Sequence, residues 1–269
     1  MTMAARPLTE LPAAALRRVR GVLTDIDDTL TRGGALDPAA AVALDALRAA
    51  ALPVIAITGR PQGWSEPFAC AWPVAAIVAE NGGVALIPAG GGLVIEYAQD
   101  AATRARNALR LQAAAARVQA EVPGATLARD SAGRVTDIAV DHSEFAHLDQ
   151  RQIEQVVAVM RAEGLHATVS SIHVNGWIGG HDKLSGARWI VQRLYGRDLD
   201  TELGQWLYVG DSTNDQTMFG HFPLSVGVAN LLHFADRLHT WPAFITEGER
   251  GVGVAQLVAA LLAARRSGP

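Results

Sequence analysis

Short apolar runs alternate with helix-like patterns over the first 83 residues. The run Val22-Leu23-Thr24 is typical of a buried parallel strand. Asp37 followed by Pro38 offers an N-cap and a first-turn proline, which predicts the start of a helix. The predicted elements are a strand at 22–25, a helix from about 37, a strand at 53–57, a helix around 62–70 and a strand at 74–79. Such βαβ alternation indicates a parallel sheet.

The same alternation returns near the C-terminal end of the chain. It predicts a helix at 183–195, a strand at 206–210, a helix from 213, a strand at 224–228 and a final helix near 252–265. Together the two ends indicate an α/β fold with a Rossmann-like, doubly wound parallel sheet core. We expect this core to be discontinuous in sequence, built from residues 1–83 and 182–269.

The pattern between these two parts is different and predicts an inserted α+β cap domain over residues 84–181. Its expected elements are a hairpin of strands 84–87 and 93–96, a helix at about 99–121, strands at 125–128 and 135–140, a helix near 149–163 and a strand at 167–178. The insertion would lie between the third and fourth core strands.

The last strand of this segment has two unlike faces. Apolar residues and glycine on one face are expected to pack on cap helices, while the other face carries Ser171, His173, Asn175 and Trp177. Any one of these polar residues is typical of a solvent-facing sheet surface. As a set that leads into Lys183, they could instead form a roof over a polar substrate, because binding pockets combine apolar walls with a few polar groups.

Acidic residues follow two of the predicted core strands. Asp25 and Asp27 stand at the carboxyl end of the first strand, where open α/β sheets bind ligands. Residues i and i+2 of an extended chain project to the same side, so both carboxylates could address one reacting group. The alternative is a solvated, Asp-rich turn that caps the next helix. Asp211 and Asp215 follow the strand at 206–210.

These motifs occur in the order found in the haloacid dehalogenase (HAD) superfamily, and the chain resembles its Cof-type, or type IIB, sugar-phosphate phosphatases. The family pattern is a DxDGT-like strand end, a strand-terminal Thr or Ser, a Lys and GDxxND. It matches Asp25 and Asp27, Thr58, Lys183, and Asp211 with Asp215. The turn at 80–83 is a further feature of this branch. One departure is Asp28, at a position usually occupied by Gly, so the local loop geometry is expected to differ.

The chemistry of phosphoryl transfer suggests a role for each residue. Asp25, Asp211 and Asp215 would crowd their charges at one sheet edge, which favours a bound cation, and Mg²⁺ prefers hard oxygen ligands. The resemblance adds the backbone carbonyl of Asp27 as a further ligand. Asp25 would be the nucleophile and Asp27 the general acid and base. The remaining expected contacts to phosphate or substrate come from Thr58, the Gly59 amide, Lys183 and Asn214, with Arg60 either reaching substrate or lying on the surface.

Composition agrees with an enzyme acting on a small molecule. The formal net charge is −4, which gives no sign of a nucleic-acid surface. The single cysteine, Cys70, excludes an internal disulfide and fits a reducing compartment. The first 21 residues lack the apolar core of a secretory signal, and no run predicts a membrane span, so the cytoplasm is the expected location. The sequence does not indicate an oligomeric state.

The sequence thus predicts a Mg²⁺-dependent phosphatase that acts on a small phosphate ester, most simply a sugar phosphate. A phosphomutase would use the same two aspartates. A non-catalytic phosphoacceptor or ligand-binding module is the third possibility, since receiver domains also combine an acidic pocket with Thr and Lys. Receivers lack an inserted cap, and the general acid expected at Asp27 favours turnover.

Overall fold

A nine-stranded, mostly parallel sheet forms the centre of the molecule. The computed structural model describes residues 5–267. The strands of this sheet are β1 (Arg6–Pro7), β2 (Gly21–Thr24), β5 (Val54–Ile57), β6 (Ala76–Ala79), β7 (Val84–Ala89), β8 (Gly92–Tyr97), β13 (Trp206–Gly210), β14 (Ser225–Gly227) and β15 (Phe244–Ile245). Their spatial order is β1-β15-β14-β13-β2-β5-β6-β7-β8. A small two-stranded sheet, β3 (Thr31–Arg32) and β4 (Ala35–Leu36), follows β2.

Helices cover both faces of the large sheet, which confirms the predicted α/β class. The α-helices within residues 5–267 are α1 (Ala13–Leu16), α2 (Pro38–Ala49), α3 (Gln62–Ala71), α4 (Ala101–Glu121), α5 (Gln150–Ala162), α6 (Lys183–Tyr195), α7 (Gln216–His221) and α8 (Arg250–Arg266). Val22 packs with α2 and α8 on one face, whereas Leu23 packs with α6 and α7 on the other. Burial on both faces explains why the core strands are continuous apolar runs. None of the helices in the described part of the chain has the length and apolar character to cross a membrane.

The predicted N-terminal boundary of α2 is confirmed by its cap. The side chain of Asp37 accepts a hydrogen bond from the amide of Ala39 at 2.9 Å, and Pro38 is the first helical residue. Proline suits this position because its missing N–H would have no partner inside the helix.

The hairpin of β7 and β8 corrects one expectation. We expected residues 84–96 to belong to the inserted segment, but β7 pairs antiparallel with β6 and extends the large sheet. The sequence pattern gives the alternation of each strand and not its partner, which is why this pairing was missed. The division into a core and an inserted cap remains a prediction, with the insertion beginning after Tyr97.

A second sheet lies in the segment between Tyr97 and α6. Its four antiparallel strands are β9 (Thr126–Leu127), β10 (Asp137–Asp141), β11 (His166–Val169) and β12 (His173–Trp177), in the order β11-β12-β10-β9. Helices α4 and α5 share an apolar core with one face of this sheet. The single strand expected at 167–178 is wrong, because β11 and β12 are two antiparallel strands joined by a turn at 170–172.

The two connections to this segment run side by side. The side-chain amide of Gln99, which precedes α4, donates to the carbonyl of Ile178, which follows β12, at 2.6 Å. The amide of Ala98 donates to the carbonyl of Gly83 in the turn after β6. The inserted segment is therefore attached to the core sheet at one place.

Candidate active site

Three buried carboxylates meet at the carboxyl ends of β2 and β13. These strands are parallel neighbours, so Asp25 and Asp211 leave the sheet side by side, and Asp215 follows one turn later. One carboxylate oxygen from each of the three lies within 4.8 Å of the others. Asp25 is 4% exposed, and Asp211 and Asp215 are fully buried. The predicted convergence of these three residues is confirmed.

Lys183 is the cation that faces this acidic cluster. It is the first residue of α6, and its Nζ lies 2.6 Å from Asp25 Oδ1 and 2.7 Å from Asp215 Oδ1. Burial opposes the charged ammonium, but the carboxylates of Asp215 and Asp25 outweigh burial and raise the pKa of Lys183 above its ordinary value. Lys183 is therefore positively charged and partly balances the cluster.

The remaining charge at the cluster is negative and poorly compensated. Burial is the largest cause that raises the pKa of Asp25 to about 7, against the opposing effect of Lys183. Burial and the charges of Asp25 and Asp215 also raise the pKa of Asp211 well above its ordinary value. Raised carboxyl pKa values of this kind indicate that a further positive charge would be stabilised here. Buried, closely spaced carboxylate oxygens fit Mg²⁺, and Asp25, Asp211 and Asp215 are the residues that could hold it.

Further hydrogen bonds fix the carboxylates of the cluster. Asp215 Oδ2 accepts from the backbone amides of Asp211 and Ser212 at 2.9 and 3.1 Å, and the hydroxyl of Tyr208 donates to Asp215 Oδ1. The side-chain amide of Asn230 donates from Nδ2 to Asp211 Oδ2 at 3.2 Å. The sequence analysis missed Tyr208 and Asn230, since neither belongs to a recognisable motif.

Asp27 lies beside the cluster but is held by a different partner. Its two carboxylate oxygens are each 2.9 Å from Nε of Arg60, and its side chain is 13% exposed. The alternative of a surface Arg60 is wrong, because this arginine is 4% exposed. It lies in the loop after β5, next to the loop that carries Asp27.

Thr58 and Gly59 directly follow strand β5, which is the parallel neighbour of β2. The buried Thr58 hydroxyl accepts from the amide of Arg60 at 3.0 Å. The carbonyl of Gly59 accepts from Arg134 Nη1 at 3.0 Å and from Asn175 Nδ2 at 3.1 Å, and both partners belong to the inserted segment. Thr58 is thus at the predicted sheet edge, while the roles of Thr58 and of the Gly59 amide toward phosphate stay predictions.

Asn214 is half-buried in the turn that carries Asp215. Its Oδ1 accepts from the hydroxyl of Ser212 at 2.9 Å. Its neighbour Thr213 donates its hydroxyl to the carbonyl of Val169 in the inserted segment at 2.7 Å. The turn therefore links the acidic cluster to the inserted segment, and contact of Asn214 with phosphate remains a prediction.

The polar face of β12 lies toward the core, and its contact with a substrate stays a prediction. Val174 on the opposite face is buried in the apolar core of the inserted segment. Asn175 reaches the carbonyl of Gly59, and His173 Nε2 is 3.0 Å from Glu144 Oε2. Ser171, expected on the same face, lies outside the strand in the turn at 170–172.

Trp177 lies apart from the acidic cluster and lines a pocket of about 550 Å³ between the inserted segment and the core. Its indole stacks on His166 and donates to the carbonyl of His181. The buried hydroxyl of Thr168 and Nε2 of His181 have no hydrogen-bond partner among residues 5–267, and both residues line this pocket. Burial lowers the pKa of His181 to about 4, so its imidazole is neutral at pH 7.

The departure at Asp28 has a structural explanation. Asp28 has φ 55°, the left-handed conformation that glycine adopts freely and that aspartate tolerates better than most residues. Its carboxylate accepts from Arg250 Nε at 2.8 Å. Asp28 therefore adopts a backbone conformation that usually favours glycine, and its ion pair with Arg250 is the local difference from the family pattern.

Glu80 fixes the turn after β6 to the inserted segment. Its fully buried carboxylate accepts hydrogen bonds from the backbone amides of Val135 and Thr136, from the Thr136 hydroxyl and from the amide of Gln62. Glu80 therefore holds the inserted segment against the core.

Mg²⁺ is expected to stabilise the protein more strongly at pH 8 than at pH 6. Protons compete with the cation because the pKa of Asp25 is raised to about 7. A concentration 100 times Kd would add about 2.7 kcal/mol to the free energy of unfolding. Thermal unfolding with and without Mg²⁺ at both pH values measures this. Asp211→Asn should remove the Mg²⁺-dependent shift of the unfolding temperature. An equal shift at pH 6 and pH 8 would contradict the assignment of Asp25 as a ligand of Mg²⁺.

Comparisons with known proteins identify the fold. No family model and no curated protein matches the chain. A Plasmodium vivax protein assigned as a HAD/COF-like hydrolase is 17% identical, with a TM-score of 0.67 over 93% of this chain and 98% of its own. The sucrose-phosphatase of Synechocystis, solved with sucrose and phosphate, is 16% identical, with a TM-score of 0.64 over 90% of this chain and 98% of its own.

A third structure extends the comparison. The C-terminal domain of trehalose-6-phosphate phosphatase from C. albicans is 16% identical, with a TM-score of 0.61 over 96% of each chain. At such identities the likeness shows a common fold. The resemblance to HAD hydrolases that the motifs predict is confirmed at that level.

Proposed function

We propose that this protein is a Mg²⁺-dependent phosphatase of the HAD type that hydrolyses a small phosphorylated metabolite, a sugar phosphate. The observation that carries the proposal is the buried cluster of Asp25, Asp211 and Asp215 around Lys183. A merely structural ion pair would not need three buried carboxylates for one lysine, because burying uncompensated charge is costly. The shared fold with sucrose- and trehalose-6-phosphate phosphatases supports the same function.

The proposed reaction begins at the carboxylate of Asp25. One Asp25 oxygen attacks phosphorus, the bond from phosphorus to the sugar oxygen breaks, and Asp27 gives its proton to that leaving oxygen. Asp27 then removes a proton from water, which attacks the aspartyl-phosphate and releases inorganic phosphate and free Asp25. Lys183 holds the nucleophile in place by its contact of 2.6 Å. Thr58 at the end of β5 would contact a phosphate oxygen.

A bound divalent cation would add charge neutralisation for the transferring phosphoryl group. Asp25, Asp211 and Asp215 would hold it, with the backbone carbonyl of Asp27 as a further ligand. Because those carboxylates are buried, water has limited access to compete for the developing charge, and electrostatic stabilisation is correspondingly strong.

A metal-dependent assay against a panel of phosphate esters tests the proposal. We expect phosphate release from sugar phosphates with Mg²⁺ and none after chelation. A phosphomutase would instead interconvert phosphate positions when a sugar bisphosphate is supplied, and a phosphoacceptor module would retain label without turnover. Absence of phosphate release from every ester would overturn the phosphatase assignment.

Substitution of a roof residue should change ester preference. We expect His173→Ala to lower kcat/KM for preferred sugar phosphates by about 10-fold or more, as loss of a substrate contact does. The value for the small ester glycerol phosphate should fall less, and the Mg²⁺-dependent thermal shift should stay at the wild-type value. A uniform change across all esters would contradict the roof assignment.

A further inference from the structure

Arg60 is a buried arginine with carboxylate partners on two parts of the molecule. Its Nε contacts both oxygens of Asp27 at 2.9 Å, in the loop after β2. Its other nitrogens contact Glu144 at 2.8 Å and Asp130 at 3.2 Å, both in loops of the inserted segment. Arg60 thus joins the core loop that carries Asp27 to the segment above it.

The ring of Trp64 helps to hold the guanidinium of Arg60 in one orientation. It lies over the ring of Trp64, with its central carbon 4.9 Å from the ring centroid. A planar guanidinium held by stacking presents its donors in a fixed fork, which a lysine cannot reproduce.

The partners from the inserted segment are themselves held in place. Burial opposes ionisation of Glu144, but hydrogen bonds from His173 and Arg60 outweigh it and lower the pKa of Glu144 to about 2. Asp130 is shared with Arg134, whose Nη2 lies 3.2 Å from it. Glu144 therefore meets Arg60 as an anion whenever the inserted segment is seated on the core.

Asp27 depends on this arrangement. Among residues 5–267, the only hydrogen-bond donor to the Asp27 carboxylate is Arg60. Without that contact the carboxyl group could rotate about its side-chain bonds. A general acid must stay within hydrogen-bond reach of the leaving oxygen, and small displacements of a catalytic group lower the rate strongly.

We propose that Arg60 is a positioning residue that orients Asp27 toward the leaving group only while Glu144 and Asp130 of the inserted segment hold its guanidinium. Seating of the inserted segment would in this way complete the reactive arrangement of the core. The inference rests on the proposed phosphatase function and adds residues that carry no recognised motif.

The test compares two esters that differ in their need for a general acid. Departure of an alkoxide from a sugar phosphate needs proton donation, whereas 4-nitrophenolate leaves without it. For Arg60→Met we expect kcat/KM on the sugar phosphate to fall about 10²-fold or more, within the range contributed by general acid catalysis. On 4-nitrophenyl phosphate kcat/KM should fall only several-fold, because kcat/KM reports the steps up to formation of the aspartyl-phosphate, whereas kcat also includes the later step in which Asp27 activates water. Glu144→Gln should shift the ratio of the two kcat/KM values in the same direction by a smaller factor.

Thr136 provides a control at the same junction. Its buried hydroxyl donates to Glu80 Oε2 at 2.6 Å, and within residues 5–267 its side chain makes no hydrogen bond to Arg60, Glu144 or Asp130. Thr136→Val should therefore lower both kcat/KM values by one common factor. Arg60→Lys, which keeps the charge, should lie between wild type and Arg60→Met and covers the case in which the methionine variant does not fold.

The outcomes separate the two proposals. A wild-type protein that hydrolyses neither ester overturns the phosphatase function. A wild-type protein active on both, with an Arg60→Met variant that loses both kcat/KM values in parallel, overturns the positioning role alone. A selective loss on the sugar phosphate in the Arg60 and Glu144 variants supports it.

Discussion

Asp25→Asn is expected to abolish phosphate release while leaving the protein folded. An amide cannot attack phosphorus to form the covalent intermediate, so kcat should fall by about 10⁴-fold or more. The fold should tolerate the change, because burial raises the pKa of Asp25 to about 7 and a neutral group avoids the cost of burying this charge. Lys183 keeps its contact with Asp215. Rate assays together with thermal unfolding without Mg²⁺ measure both effects.

The neighbouring carboxylate of Asp28 gives a control with the same chemical change. Asp28 lies outside the cluster of three, and its left-handed backbone also suits asparagine. Asp28→Asn should retain activity within a few-fold of the wild type. Full activity of Asp25→Asn would refute the nucleophile assignment, and equal losses in both variants would point to a general effect of charge on the loop.

Lys183→Met should destabilise the protein by about 3–5 kcal/mol, the usual cost of removing one partner of a buried ion pair. The substitution leaves Asp25, Asp211 and Asp215 buried without their cation. The loss should be larger at pH 8 than at pH 6. The pKa of Asp25 is already raised in the folded state, so protonation relieves the repulsion at low pH and that relief disappears as the pH rises through about 7.

Urea unfolding without Mg²⁺ at the two pH values measures this loss. Arg188 on the same helix is a suitable control, because it pairs with Asp200 at 2.9 Å but is 42% exposed. Arg188→Met should cost less than about 1 kcal/mol, as surface pairs do. A pH-independent loss in Lys183→Met would mean that the lysine contributes by packing and not by charge balance.

The acidic cluster could be predicted because its members follow their own strands. Asp25 comes directly after β2 and Asp211 directly after β13, and parallel neighbours end at one edge. Local sequence therefore contained the position of each carboxylate. The sequence also indicated an unusual loop geometry at Asp28, because this residue stands where the family usually has glycine, the residue that adopts a left-handed backbone most freely.

The partners of Arg60 could not be predicted in the same way. Glu144 and Asp130 lie in loops of the inserted segment, and their contact with Arg60 depends on how that segment packs on the core. Periodicity describes single elements and carries no information on such long-range docking. The same limit applies to β7, whose alternation suits pairing with either sheet, and to β1 and β15, which are only two residues long.

The hydrogen bond between Gln99 and Ile178 has a consequence for how such proteins diversify. The chain enters the inserted segment near Gln99 and leaves it near Ile178, and these two residues are hydrogen-bonded to each other. Removal of the inserted segment would therefore leave two chain ends close enough for a short linker. The core could then be joined to a different inserted segment without any change in strand order. Such a replacement would need carboxylates of its own in the places of Glu144 and Asp130 to engage Arg60.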